Sequence, residues 1–186
     1  MVFIPDFAFS LLNGWLPFAG YLVLFGFLIA IFPKEVVRRL YDRSLWTRRQ
    51  RIITVIGKLF TLTNLVLICL SPLRIGGLLF ISGTVLWALG LAGMAIALVN
   101  YRTTPLDVPV TKGFYRISRN PQIFSIWVVF LGIGLMIGSG ISLLLIAVSF
   151  LFLHTSTLAE EKACLEQYGQ SYRNFMNSVP RYFLFF

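Results

Sequence analysis

The sequence predicts an all-α, polytopic membrane protein of about five transmembrane helices, the last two forming a helical hairpin. Three observations carry that prediction. Of the 186 residues 58% are hydrophobic and only 12% charged. Uninterrupted apolar runs of span length recur along the chain, and the basic residues fall almost entirely in alternate connecting segments. This composition excludes an ordinary soluble globular protein. Disorder is excluded too, because it needs low hydrophobicity together with high net charge. The net charge of +9 reads as attraction of juxtamembrane Lys and Arg to an anionic cytoplasmic leaflet rather than to nucleic acid.

A bilayer core needs about 20 mostly apolar residues per helix. The first such run is Gly14 to Phe32, closed by Pro33-Lys34. No basic segment precedes it and no small-residue cleavage site follows, so it reads as a retained span rather than a secretory signal. The second runs from about Ile52 to Leu70 and ends at Ser71-Pro72; its Lys58 should snorkel or face protein. The third, Gly76 to Val99, carries Gly83, Gly90 and Gly93, which permit close helix approach or equally face lipid. From Gln122 to Leu158 the apolar stretch is too long for one span and is broken by Gly138-Ser139-Gly140. Two helices, about Gln122 to Ile137 and Ile141 to Leu158, joined by a tight turn, fit it best. Cys69 and Cys164 are expected to be free thiols.

The connecting segments orient the chain. Residues 33–51 hold seven Lys or Arg, residues 100–121 four and the tail three, so fourteen of the sixteen basic residues lie on one side. Only Lys58, inside a span, and Arg74, in the opposite loop, do not. The positive-inside rule then places the N-terminus outside and the C-terminus in the cytoplasm, in a bacterial-type inner membrane.

With that topology, two distant segments meet at the cytoplasmic face. One is the polar loop Thr111 to Pro121, in which Pro121 suits the first turn of the fourth span and Asn120 its N-cap. The helix start beside Arg119 favours a carboxylate or other anion. The other is His154 to Glu161, where His154 and Glu161 are two helical turns apart and share a face. A ligand carrying both charges suits such a pairing, its cationic group against Glu160 or Glu161 and its carboxylate near Arg119. The same residues also fit a solvated interfacial ring with no ligand. No metal cluster, Ser-His-Asp arrangement or phosphate-binding glycine loop is present in the sequence. The tail from Cys164 to Phe186, with Tyr168, Tyr172, Phe175, Tyr182, Arg173 and Arg181, reads as an interfacial amphipathic helix or a lid over the polar site.

Gly113-Phe114-Tyr115-Arg116-Ile117-Ser118-Arg119-Asn120-Pro121, then Glu160-Glu161, Tyr168-Gly169-x-x-Tyr172 and Val179-Pro180-Arg181-Tyr182 follow in order. This ordered set resembles the integral-membrane methyltransferases that include isoprenylcysteine carboxyl methyltransferase and the phospholipid N-methyltransferases. Thr103-Thr104-Pro105 is similar to bacterial members, and Asn120 stands where many relatives have His. The resemblance covers roughly Thr103 to Tyr182. It implies S-adenosylmethionine as methyl donor, bound by the loop 100–121 and the tail 159–186 of a single membrane domain. By that resemblance Gly113, Tyr115, Arg119, Asn120, Pro121, His154, Glu160 and Glu161 belong to the cofactor site, and Arg173 and Arg181 are the candidate catalytic, acceptor-orienting groups. The expected activity is methyl transfer to a lipophilic or lipid-linked acceptor at the cytoplasmic membrane face. A non-catalytic membrane scaffold or sensor that recruits a partner is the alternative. Acceptor identity and oligomeric state are left open.

Overall fold

A computed structural model describes residues 1–8 and 10–183; residues 184–186 of the expected tail lie outside the described residues. Among the described residues seven α-helices follow one another: α1 (Trp15–Ala30), α2 (Lys34–Leu40), α3 (Arg48–Leu70), α4 (Leu78–Arg102), α5 (Pro121–Met136), α6 (Gly140–Tyr168) and α7 (Gln170–Ser178). The five apolar helices α1, α3, α4, α5 and α6 correspond to the five expected spans. By length and composition α3, α4 and α6 can each cross a membrane, whereas α1 and α5 have 16 residues each, about 24 Å at 1.5 Å per residue.

Local chemistry sets the helix ends. Thr47 and Gln50 form a reciprocal capping box, the Gln50 N–H donating to the Thr47 hydroxyl at 3.3 Å and the Thr47 N–H to the Gln50 side-chain oxygen at 2.8 Å. The box starts α3 at Arg48, ahead of the apolar run. Pro121 opens α5, but Asn120 makes no capping bond with its side chain, contrary to the sequence expectation, because its amide is drawn to Glu161 instead. Between α5 and α6 the chain reverses at Gly138, whose φ of +61° is left-handed backbone that glycine adopts at least cost. Ser139 then caps α6 through the N–H of Ser142 at 3.2 Å. Beyond Leu158, where its membrane-spanning apolar part ends, α6 continues as a polar extension to Tyr168.

The helices pack as α4 with α5 and α3 with α6. Along the first pair the backbones touch through glycine: a Cβ on Gly132 would lie 2.6 Å from the Gly83 carbonyl oxygen, and one on Gly90 2.7 Å from the Val129 nitrogen. The glycines of the third span therefore serve packing within the chain. Along the second pair Gly57 abuts Phe152, Phe60 stacks on Phe152 at 5.4 Å, and the Ser142 hydroxyl donates to the Asn64 side-chain oxygen at 2.7 Å. Ile68, Leu98, Val129, Ile133 and Ile137 are fully buried where the pairs meet. Both cysteines are free thiols.

The bundle has two unlike ends. At one, Gly14 donates its N–H to the Ser71 carbonyl and Arg74 to the Met136 carbonyl, closing the short connections. At the other, the basic connections and the polar extension of α6 come together. There Arg39 of α2 donates to the carbonyls of Pro105 and Tyr101 and stacks 4.4 Å from the Tyr101 ring, pinning α2 to the end of α4.

Candidate functional site

The loop after α4 folds into a single 3₁₀ turn, Gly113–Arg116. Gly113 has φ +58°, and a Cβ there would collide with the side chain of Asn100, so both the conformation and the space require glycine. The turn buries Tyr115, whose hydroxyl accepts a hydrogen bond from Gln122 at 2.8 Å. Burial pushes the Tyr115 hydroxyl up, so it remains a neutral phenol.

Arg119 is buried, and its guanidinium is engaged on three sides. Nε donates to Glu161 Oε1 at 3.0 Å, while Nη1 donates to the carbonyls of Met176 at 2.6 Å and Val179 at 2.8 Å. Glu161 is 3% exposed and in turn receives Arg181 through Nε at 3.0 Å and Nη2 at 2.9 Å, and the Asn120 amide at 3.0 Å. Backbone contacts complete the strap: the Arg119 N–H donates to the Pro180 carbonyl and the Ser118 hydroxyl to the Arg181 carbonyl, both at 2.9 Å. Burial alone would push the Glu161 carboxyl up; the hydrogen bonds from Arg181 and Arg119, with their charges, outweigh it and hold Glu161 below the usual carboxylate range. Glu161 is therefore an anchor held in its ionised form by two guanidiniums.

Glu160 has the opposite environment. Its half-buried carboxyl lies in a cleft beneath α2 and has no hydrogen-bond partner among the described residues. Burial raises its pKa to about 7 against the opposing charge of Arg43. The cleft is walled by Tyr101, Tyr115, Tyr168 and Tyr172, with Arg39 and Trp46 above and Gln122 and Gln167 at its sides. Two neighbouring carboxyls thus differ in role: one is tied into the framework and the other is available to a ligand.

Of the residues singled out in the sequence, Tyr115, Arg119, Asn120, Glu160 and Glu161 line this cleft. Gly113 and Pro121 shape the backbone around it. His154 does share a face of α6 with Glu161, but it meets the Tyr182 hydroxyl at 3.3 Å and lies outside the cleft lining. Arg173 is exposed on α7, and Arg181 reaches the site only through Glu161. The tail helix α7 buries Tyr172 and Phe175 against Tyr115 and Ala97, so it packs onto the site. Sequence reasoning missed Arg39 and Trp46. Their signal is faint: a single buried indole in an otherwise charged connection, and one arginine among seven basic residues.

Residues 73–171 match the family model described as phospholipid methyltransferase, more than half of the chain. The chain belongs to the phospholipid methyltransferase family. The matched stretch contains α4, the loop with its 3₁₀ turn, α5 and α6, and hence Tyr115, Arg119, Asn120, Glu160 and Glu161. It begins after α3 and ends within the first turn of α7, so Arg39, Trp46 and Arg181 lie outside the matched residues. No curated protein matches the chain. Membership in the phospholipid methyltransferase family, together with the apolar helices, points to methyl transfer at a membrane.

Proposed function

We propose that the chain transfers a methyl group from S-adenosylmethionine to a lipophilic or lipid-linked acceptor at the cytoplasmic membrane face. The observation that carries this reading is Glu160: a carboxyl without a hydrogen-bond partner among the described residues, in an aromatic cleft built largely by the segment that matches the family. S-adenosylmethionine, when bound, supplies a methyl group on a positively charged sulfur, together with an ammonium and a carboxylate. The residues present fit such a group. Glu160 offers a carboxylate to a cationic part, and the faces of Tyr101, Tyr115, Tyr168 and Tyr172 offer stabilisation to positive charge and flat surfaces to a ring.

The remaining parts position and exclude. Arg119, Glu161 and Arg181 hold the loop and the tail together, so that Tyr115 and Tyr172, which pack in one cluster, are fixed in the lining of the cleft. Gln122 orients the Tyr115 hydroxyl from the first turn of α5. Trp46 and the α2 connection line the cleft and cover part of it from bulk water. The cytoplasmic placement rests on the concentration of basic residues at this end of the bundle.

Titration calorimetry of S-adenosylmethionine into the detergent-purified protein tests the reading. Micromolar binding is expected, weakened at least about tenfold in Glu160→Gln. Because Glu160 must ionise to hold a cation, wild-type affinity should rise as pH passes through about 7, while that of the variant stays flat. The linked stability runs the other way. With a folded-state pKa above the unfolded value, the apo protein is favoured by neutral Glu160 at low pH and loses that contribution as pH rises through about 7. A folded protein that binds no S-adenosylmethionine, even with added membrane lipids, returns the chain to the scaffold reading.

A further inference from the structure

A second cavity lies on the other side of Trp46, where the α2–α3 connection meets the first turns of α3. Its lining holds three cations, Arg43, Arg51 and Lys58, with Trp46 and Thr54, and no carboxylate. None of the three cations is in an ion pair among the described residues, whose salt bridges involve Arg119, Lys162 and Arg181. The groove is built rather than incidental. Arg51 donates to the Arg43 carbonyl at 3.3 Å, Arg43 lies 4.9 Å from the centre of the Trp46 ring, and Thr54 and Ser156 share a 2.8 Å hydrogen bond that ties α3 to α6 at its base.

Its position selects the occupant. Arg51 and Lys58 are exposed two turns apart on one face of α3, and Val55, Leu59 and Leu62 are exposed along the same helix. Lys58 stands six residues past Ile52, where the apolar run begins, about 9 Å into it at 1.5 Å per residue. An ammonium at that depth on a lipid-facing surface turns its stem toward the interface, which brings it back toward Arg51. A soluble anion has no reason to sit there, whereas a lipid headgroup with its acyl chains along α3 satisfies the cations and covers the apolar surface at once.

We propose that Arg43, Arg51 and Lys58 form a binding site for the phosphate of a membrane phospholipid, entered from the bilayer along α3 and separated from the Glu160 cleft by Trp46. A phosphodiester offers oxygens to a guanidinium fork and to an ammonium together; no carboxylate lines the groove, and of the three cations Arg43 also feels the charge of Glu160 in the neighbouring cleft. The proposal does not depend on methyl transfer.

Native mass spectrometry of the full-length protein in nonionic detergent, titrated with dioctanoyl phosphatidylglycerol, tests it. One lipid should bind per chain, with affinity falling at least about tenfold in Lys58→Met and in Arg51→Gln and retained in Lys58→Arg. Dioctanoylglycerol, which lacks the phosphate, should bind no better than the phospholipid binds to Lys58→Met, and inorganic phosphate at the same concentration should not displace the lipid. Equal binding by wild type and both charge-removing variants overturns the site. Equal binding of dioctanoylglycerol reduces it to an apolar surface, and displacement by inorganic phosphate makes it a free-anion site; either result overturns the lipid assignment.

Discussion

Replacing Glu161 by alanine is expected to release the tail from the loop and to lower stability by about 3–5 kcal/mol, the cost of removing one partner from a buried ion pair. The loss is this large because two guanidiniums depend on the one carboxylate, and Arg119 is left buried without its counter-charge. Limited trypsin digestion should then cut at Arg173 and Arg181 in folded, detergent-solubilised variant under conditions that spare the wild type. Arg181→Ala should be milder, since Arg181 is partly exposed and the Arg119–Glu161 pair survives. Equal trypsin resistance of wild type and Glu161→Ala would show that the strap does not rest on this carboxylate.

Gly132→Val is expected to force α4 and α5 apart. Even the Cβ would lie 2.6 Å from the Gly83 carbonyl oxygen and 2.6 Å from the Trp87 nitrogen, both backbone atoms that cannot rotate away. Overpacking of this kind typically costs about 1–3 kcal/mol, and a contact with backbone on the facing helix belongs at the upper end. Thermal unfolding in detergent should fall by several degrees. Gly26→Ala should not lower it, because a methyl group there would meet nothing within 4 Å and alanine favours the interior of α1 over glycine. Indistinguishable transitions for the two variants would mean that the glycine contact does not hold the pair together.

The five spans were legible because hydropathy over about 20 residues is a long, redundant signal. Their boundaries shift where single residues decide them: Thr47 and Gln50 begin α3 early, and the polar residues after Leu158 do not stop α6, which ends at the positive-φ Gly169. The pairing of α4 with α5 and α3 with α6 was not legible, since a helix apolar on every side carries no stripe to say which side faces protein. At the site, the sequence brought the loop around Arg119 and the paired glutamates to one end. It did not tell Glu160 from Glu161. Adjacent helical residues point about 100° apart, and only the position of residues 176–181 decides that Glu161 meets two arginines while Glu160 faces the cleft. Helix α2 escaped notice because seven residues with three basic side chains leave no apolar periodicity to read.

The strap also has a temporal meaning. Arg119 leaves the ribosome long before its partners Met176, Val179 and Arg181, and all five apolar helices are made before the carbonyls that receive its guanidinium. In chain order the five apolar helices are therefore complete before the segment that supplies this wall of the cleft. A chain without residues 176–181 would keep all five apolar helices and lose the carbonyls and the arginine that close this charge cluster.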